Sequence, residues 1–287
     1  MKKMNELKEE YQSVKAPEKG LELVEMKMKE AEEMKMKKNK CFVKPAVTAA
    51  AVFVTLLILP NTNENIAKAM SNLPAVGKFF DVVTVRDYQY KDERHEANVK
   101  VPEVVTKDKN SNAVDQVNKS VQEYTEEAIK QFKQDIKEYG EGYESLDVNY
   151  SVVTNDENWF VLEVLTEQVQ ASGFETARYY NIYKNTDQVV SLGDLFRKGY
   201  DYVTPISDII IEEMRKQMKE NDGAMYFLDD KDMPEFNFKQ IKEDQNFYIN
   251  SKGQLVIAFG EAEVGPASMG RPEFVILDQD ILQNMIL

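Results

Sequence analysis

The chain has almost no cysteine and almost no histidine: one of each in 287 residues. With Cys41 alone, no disulfide can form within the chain, so the fold must stand on its core. An exported domain of this size without a disulfide fits a bacterial surface better than a eukaryotic secretory route. His95 as the lone imidazole removes His-based triads, multi-histidine zinc sites and most general-base schemes. GxGxxG, the phosphate loop GxxxxGK-S/T and HExxH are also missing. Asp229, Asp230 and Asp232 make an acidic run, but the glycine and distal glutamate of a calcium loop are lacking. Glu261 and Glu263 share one strand face, whereas paired catalytic carboxylates need opposed positions across a substrate. These gaps point away from an enzyme and leave no expected cofactor or metal.

Charge is missing from one stretch. No residue from Pro45 to Asn63 is charged, a run of 19 residues. A bilayer core about 30 Å thick asks for about 17–25 mostly apolar helical residues. The reading is a transmembrane helix over 41–60, with Lys44 snorkelling to the headgroups. Lys35, Lys37, Lys38, Lys40 and Lys44 precede it, while 61–70 holds only Glu64 and Lys68. The positive-inside bias places the N-terminus in the cytoplasm and the C-terminus outside the cell membrane, as a single-pass protein. Two alternatives stand beside this. One is a signal peptide with the small-residue site Ala67-Lys68-Ala69, set against the 40 residues ahead of the apolar run. The other is a buried core helix.

The remaining charge is uneven. Residues 1–44 hold 12 Lys against nine Glu, while 45–287 hold 24 basic residues against 41 acidic. The outer part would repel nucleic acid and attract basic proteins. Residues 1–40 read as two short helices broken near Pro17-Glu18-Lys19-Gly20. Leu7, Tyr11 and Val14 share one face; Leu21, Val24 and Met28 share another. So short a pair buries too little to be stable alone, and is expected to order on a partner. Residues 61–80 form a juxtamembrane segment in which Ile66, Met70 and Leu73 recur at helical spacing. If it is helical, Ala67-Lys68-Ala69 is not extended for a protease.

Beyond it the patterning alternates strands with two helices. Strands are expected at 81–90, 97–105, 146–152, 159–170 and 174–184, with a helix at 112–139 capped by Asn112. A helix follows at 204–221, then a hairpin of 247–249 and 255–259 around Asn250-Ser251-Lys252-Gly253. The Gly- and Pro-rich loop 263–272, a strand at 273–277 and a short helix close the chain. The fold class is an extracellular α+β domain pair, helices packed on antiparallel sheets, at 81–188 and 189–287. No repeat is visible.

Taken in order, the motifs form one series. Tyr11-x5-Pro17 precedes a Lys-flanked anchor. Ala67-Lys68-Ala69-Met70-Ser71 is followed by Pro74-x-x-Gly77-Lys78, and Gln170-Ala171-Ser172 by Arg178-Tyr179. Phe247-Tyr248-Ile249 leads to Glu263-Val264-x-Pro266-x-x-Met269-Gly270-x-x-Glu273-Phe274. The series resembles the RsiV-like anti-sigma factors of Firmicutes over nearly the whole chain. The outer part is similar to the paired domains ahead of some peptidoglycan deacetylases, whose catalytic domain needs more chain and more histidine.

The resemblance implies an inner tail that holds an extracytoplasmic-function (ECF), SigV-like sigma factor through Leu7, Tyr11, Val14, Leu21, Val24 and Met28. It implies a lysozyme receptor outside, with gripping loops that match Ser172, Gly173, Pro266, Ala267, Ser268 and Met269. Relatives can carry an aromatic where Ser268 stands, and serine offers less stacking area. Lysozyme binding would expose the juxtamembrane site to signal peptidase. The cut would follow Ala69, with Ala67 and Ala69 in the small pockets and Met70 as the new N-terminus. An intramembrane site-2 protease would complete the release. The alternatives are a wall-modifying hydrolase and a membrane-anchored glycan binder using Trp159 and the Tyr-rich strand 178–183.

Overall fold

The computed structural model describes residues 53–58, 66, 68, 69, 80–108, 110–138, 142–170, 173–231 and 234–287. The sigma-binding positions Leu7, Tyr11, Val14, Leu21, Val24 and Met28 lie outside these residues, as do Ala67, Met70 and Ser172. Chain order runs β1 (Phe53–Ile58), β2 (Phe80–Lys91), β3 (His95–Thr106), α1 (Asn112–Glu138), β4 (Glu144–Asn155), β5 (Trp159–Val169), β6 (Gly173–Tyr183) and β7 (Gln188–Val189). Then come α2 (Val203–Glu220), β8 (Phe247–Ile249), β9 (Leu255–Ala258), β10 (Glu273–Val275) and α3 (Gln279–Leu282).

β1 to β7 form one sheet in sequence order. Only β3 and β4 are parallel, because α1 carries the chain back across the sheet between them. The helix forms where the 3.6-residue stripe predicts. Val114, Val117, Val121, Ile129 and Phe132 are buried against Val99, Leu146, Val148, Phe160 and Leu162 of the sheet. Phe132 is fully covered, and truncating such a ring to alanine costs about 3–5 kcal/mol.

The cap of α1 differs from the expectation. Ser111, not Asn112, is the capping side chain: its Oγ accepts the Val114 N–H at 3.2 Å. Ser111 in turn donates to the Asp187 carboxylate at 2.5 Å, which also accepts the Asn112 N–H at 2.8 Å. A carboxylate at a helix N-terminus complements the exposed amides and the helix dipole. Asn112 is already helical, so its own side chain is one position too late to cap.

β8, β9 and β10 make a second, three-stranded antiparallel sheet in the order β10-β9-β8. Gly253 turns the β8–β9 hairpin at φ +73°, a conformation glycine adopts at no steric cost. The sheet packs with α2 around Ile206, Ile210, Met214, Ile257 and Phe274. Trp159 of β5 belongs to this second core. Side chain-to-backbone bonds also cross: the Thr154 hydroxyl donates to the Ile249 carbonyl at 2.7 Å, and the Asn181 side-chain amide to that of Phe247 at 2.9 Å. The two cores lie within one compact unit, residues 50–287.

The helix expected over 41–60 is not what Phe53–Ile58 forms. These six residues pair antiparallel with β2, Phe53 opposite Lys91 and Ile58 opposite Arg86. Val54, Thr55 and Ile58 are β-branched, and a short apolar run fits a strand as well as a helix. No helix among the described residues is long and apolar enough to cross a membrane. The rest of 41–60 lies outside the described residues.

Candidate functional site

Two segments carry the described residues singled out for binding a partner. The first is the start of β6, where exposed Gly173 stands opposite Val169. The second leaves β9 and returns at β10. It is a 3-10 turn over Ala267–Met269, entered from Pro266 and ended by Gly270 at φ +63°. Ala267 and Ser268 are exposed, while Pro266 and Met269 are half-buried.

The second loop is braced from below. A Cβ added at Gly265 would stand 2.5 Å from the Met225 carbonyl oxygen, so only glycine fits there. The Met225 N–H points at Met269 Sδ at 3.4 Å, and the Phe227 N–H donates to the Val264 carbonyl at 2.9 Å. Glu263 accepts the Gly260 N–H at 2.8 Å and pairs with Lys242 at 3.0 Å. Its carboxylate closes the turn that launches the loop.

The two segments are tied to each other. Glu261 accepts the Glu175 N–H at 2.7 Å through its carboxylate, and its own N–H donates to the Glu175 carbonyl at 3.3 Å. Arg271, two residues beyond Met269, bridges Glu163 at 3.1 Å and Glu175 at 3.4 Å. Tyr179 donates to both Glu163 and Glu273, and Tyr248 to Glu273 at 2.8 Å, their rings stacked at 4.6 Å. Burial, then the charges of Glu163 and Glu273, push the Tyr179 hydroxyl well above its ordinary range. Burial acts against Arg271's charge, but Glu163 and Tyr179 more than offset it and raise its pKa. The phenols therefore stay donors and the guanidinium stays charged. Gly173 and Pro266–Met269 thus sit at the ends of a single clamped unit.

Sequence reasoning missed the clamp itself: Glu163, Glu175, Arg271 and Tyr179. It also missed two exposed apolar side chains beside the loops, Phe174 (44% exposed) and Met225 (59%). Strand alternation after Gly173 carries a signal for Phe174; nothing local marks Met225. Glu261 and Glu263 are committed to backbone amides rather than facing each other across a cleft. Asp229, at φ 57°, pairs with Arg215 at 3.0 Å, and Asp232 lies outside the described residues. Among the described residues no group of three or more His, Cys, Asp or Glu is placed to hold a metal. His95 is hydrogen-bonded to Asp92 at 2.9 Å. Trp159 and Tyr180 are buried, and the Tyr179 ring is covered by Tyr248, which leaves little aromatic face for a sugar.

In the juxtamembrane segment, Ile66, Lys68 and Ala69 are helical. Ala69 is 7% exposed.

Residues 193–277 match the family described as Protein of unknown function (DUF3298). The chain is 31% identical over 286 residues to the anti-sigma-V factor RsiV of Bacillus subtilis (strain 168), covering 100% of this chain and 97% of that protein. The chain belongs to the RsiV family. Two crystal structures of DUF3298 family proteins are also similar. One, from Bacteroides fragilis, shares 15% identity at TM-score 0.48. The other, from Pseudomonas aeruginosa, shares 13% at TM-score 0.49. Each covers 73% of this chain and 94% of its own. In this RsiV-family chain the DUF3298 match takes in Glu261, Pro266–Met269 and Arg271 but not Gly173 or Glu175. The clamp crosses the edge of the match.

Proposed function

We propose that the chain is a single-pass anti-sigma factor of the cell membrane, with its N-terminus in the cytoplasm, that doubles as a lysozyme receptor. Residues 1–40 hold an ECF sigma factor of the SigV-like kind. Residues 41–60 cross the bilayer, and the clamped loop pair outside receives lysozyme. The chain works as a regulator and not as an enzyme. The anti-sigma role is carried by the full-length match to RsiV, which covers residues 1–60 as well as the DUF3298 region.

The outer charge supports a basic partner: 41 acidic residues against 24 basic ones from 45 onward draw a cationic enzyme and speed its encounter. Binding leads to a signal peptidase cut after Ala69, and a site-2 protease then cleaves within the membrane. The helical, covered state of Ala69 supports a closed site at rest, because a peptidase takes its substrate extended. Crossing by 41–60 requires Phe53–Ile58 to leave the edge of β2, since lipid tolerates no unpaired strand.

The test is to add lysozyme to cells bearing a C-terminally tagged chain and sequence what is released. A fragment beginning at Met70 is the expected product. Deleting residues 1–40 is expected to leave the sigma regulon on without lysozyme. An intact chain after lysozyme treatment, with unchanged transcription in the deletion, would falsify this reading.

A further inference from the structure

The second sheet has an open edge. β10 pairs with β9 on one side and with no other strand among the described residues. The Phe259 N–H donates to the Pro272 carbonyl, and the Ile276 N–H to that of Leu255. The ladder alternates, so the amides and carbonyls of Glu273, Val275 and Leu277 point away from β9. None of them is hydrogen-bonded within the described residues. Residues 273–277 therefore offer about 17 Å of unpaired edge at 3.4 Å per residue.

Helix α2 walls that edge, and a groove of about 680 Å³ runs between them. Ile209 lines it from the helix, Val275 and Leu277 from the strand. Val275 is 44% and Leu277 59% exposed. Sheet edges are usually blunted by lysine, by a cover or by a charge. Here the carboxylate of Glu273 is occupied by the phenols of Tyr179 and Tyr248, and the two apolar side chains stand in the open. The groove is acidic. Glu212, Glu213, Glu273 and Asp278 line it against Lys216 alone, and Lys216 already pairs with Glu213 at 3.2 Å. Glu212 is exposed and has no cation partner among the described residues.

We propose that the β10 edge takes an extended, basic segment of another polypeptide as an added strand. Its backbone pairs with the outward groups of Glu273, Val275 and Leu277, which supplies the affinity of strand addition. Side chains alternate across a strand. One set lies beside Val275 and Leu277 and is apolar. The other set turns to α2, where Glu212 and Glu213 select lysine or arginine. A second copy of this chain is disfavoured as the occupant, because two acidic edges of this kind repel each other. The site is separate from the tips of the clamped loops and does not depend on what those receive.

The experiment is fluorescence anisotropy of the full chain in a non-ionic detergent with three labelled peptides. One alternates Lys and Val, one alternates Glu and Val, and the third is the Lys-Val peptide with every second backbone amide methylated. The plain Lys-Val peptide is expected to saturate the site and to bind about tenfold tighter than either control. Methylation keeps the charge and removes the pairing amides, so it separates strand addition from simple attraction to an acidic protein. Val275→Pro deletes one outward N–H and leaves the β9 ladder intact, a place where an edge strand tolerates proline; it is expected to weaken the peptide about tenfold. Glu212→Lys, on an exposed helix face, is expected to weaken it with no change in melting temperature, and stays informative if the proline variant unfolds. No saturable binding, equal binding of the methylated peptide, equal binding of the Glu-Val peptide, or affinity unchanged in Glu212→Lys overturns the proposal. So does a concentration-dependent dimer that Val275→Pro abolishes, which would give the edge to a second copy.

Discussion

Glu175 and Glu261 are bonded to each other in both directions: the carboxylate of Glu261 takes the amide of Glu175 at 2.7 Å, and the carbonyl of Glu175 takes the amide of Glu261 at 3.3 Å. Glu175 lies in β6 and Glu261 in the turn after β9, 86 residues apart. The start of β6 and the turn after β9, distant in sequence, therefore hold one relative position before any partner arrives. Ordering a loop on binding draws on the affinity gained, so a pre-set pair keeps more of it.

Glu261→Ala removes the carboxylate half of that exchange and leaves the Glu175 amide to water. The expected result is lysozyme binding weakened by about tenfold, about 1.4 kcal/mol, with the dissociation rate rising more than the association rate falls. The core is untouched, so the melting temperature is expected to move little. Surface plasmon resonance and a thermal melt decide it. An unchanged dissociation rate means the clamp plays no part in recognition.

Gly265→Ala tests the other brace. The new Cβ meets the Met225 carbonyl at 2.5 Å, a contact that forces either the 3-10 turn or the 224–228 segment to move. Overpacking of this kind costs about 1–3 kcal/mol, so a lower melting temperature and weaker lysozyme binding are expected together. A variant as stable as the parent would show that the loop has slack.

What the sequence made legible was local. The stripe Val114, Val117, Val121 repeats within a few turns of one helix, and Gly253 announces its own hairpin. The cap of α1 was misplaced by one residue, from Ser111 to Asn112; the support that Asp187 gives Ser111 comes from 76 residues away and no local pattern carries it. The clamp was invisible for the same reason: Arg271 reaches Glu163 across 108 residues, and no spacing rule joins them. Gly173 and Pro266–Met269 came from resemblance to a family. Their bracing by Tyr179, Glu175 and Arg271 came only from the fold. Phe53–Ile58 pairs with β2 where an apolar helix was expected, and periodicity alone cannot separate a short apolar strand from a segment of apolar helix.

The β2–β3 turn carries the pH dependence. The Asp92 carboxylate accepts the amides of Arg94 and His95 at 2.8 and 2.7 Å, the Tyr90 hydroxyl at 2.8 Å and the His95 ring at 2.9 Å. Burial alone pushes its pKa up, but the bonds from Arg94, His95 and Tyr90 outweigh that and hold it well below its ordinary 3.8. A depressed folded-state pKa stabilises the protein above the unfolded value and loses that contribution as pH falls through 3.8 and below. Tyr90 works in the opposite sense: burial, then Asp92, push its hydroxyl up to about 12 from 10. Its contribution holds below pH 10 and is lost as pH rises toward 12. Asp92→Asn removes the charge while keeping an oxygen acceptor, so it is expected to lower stability at pH 7. Urea denaturation of both proteins at pH 7, 5 and 3 is expected to show the gap between them closing below about pH 5, where the parent's carboxylate starts to protonate in the unfolded chain. A gap that stays constant down to pH 3 would assign the effect of the variant to shape and not to charge.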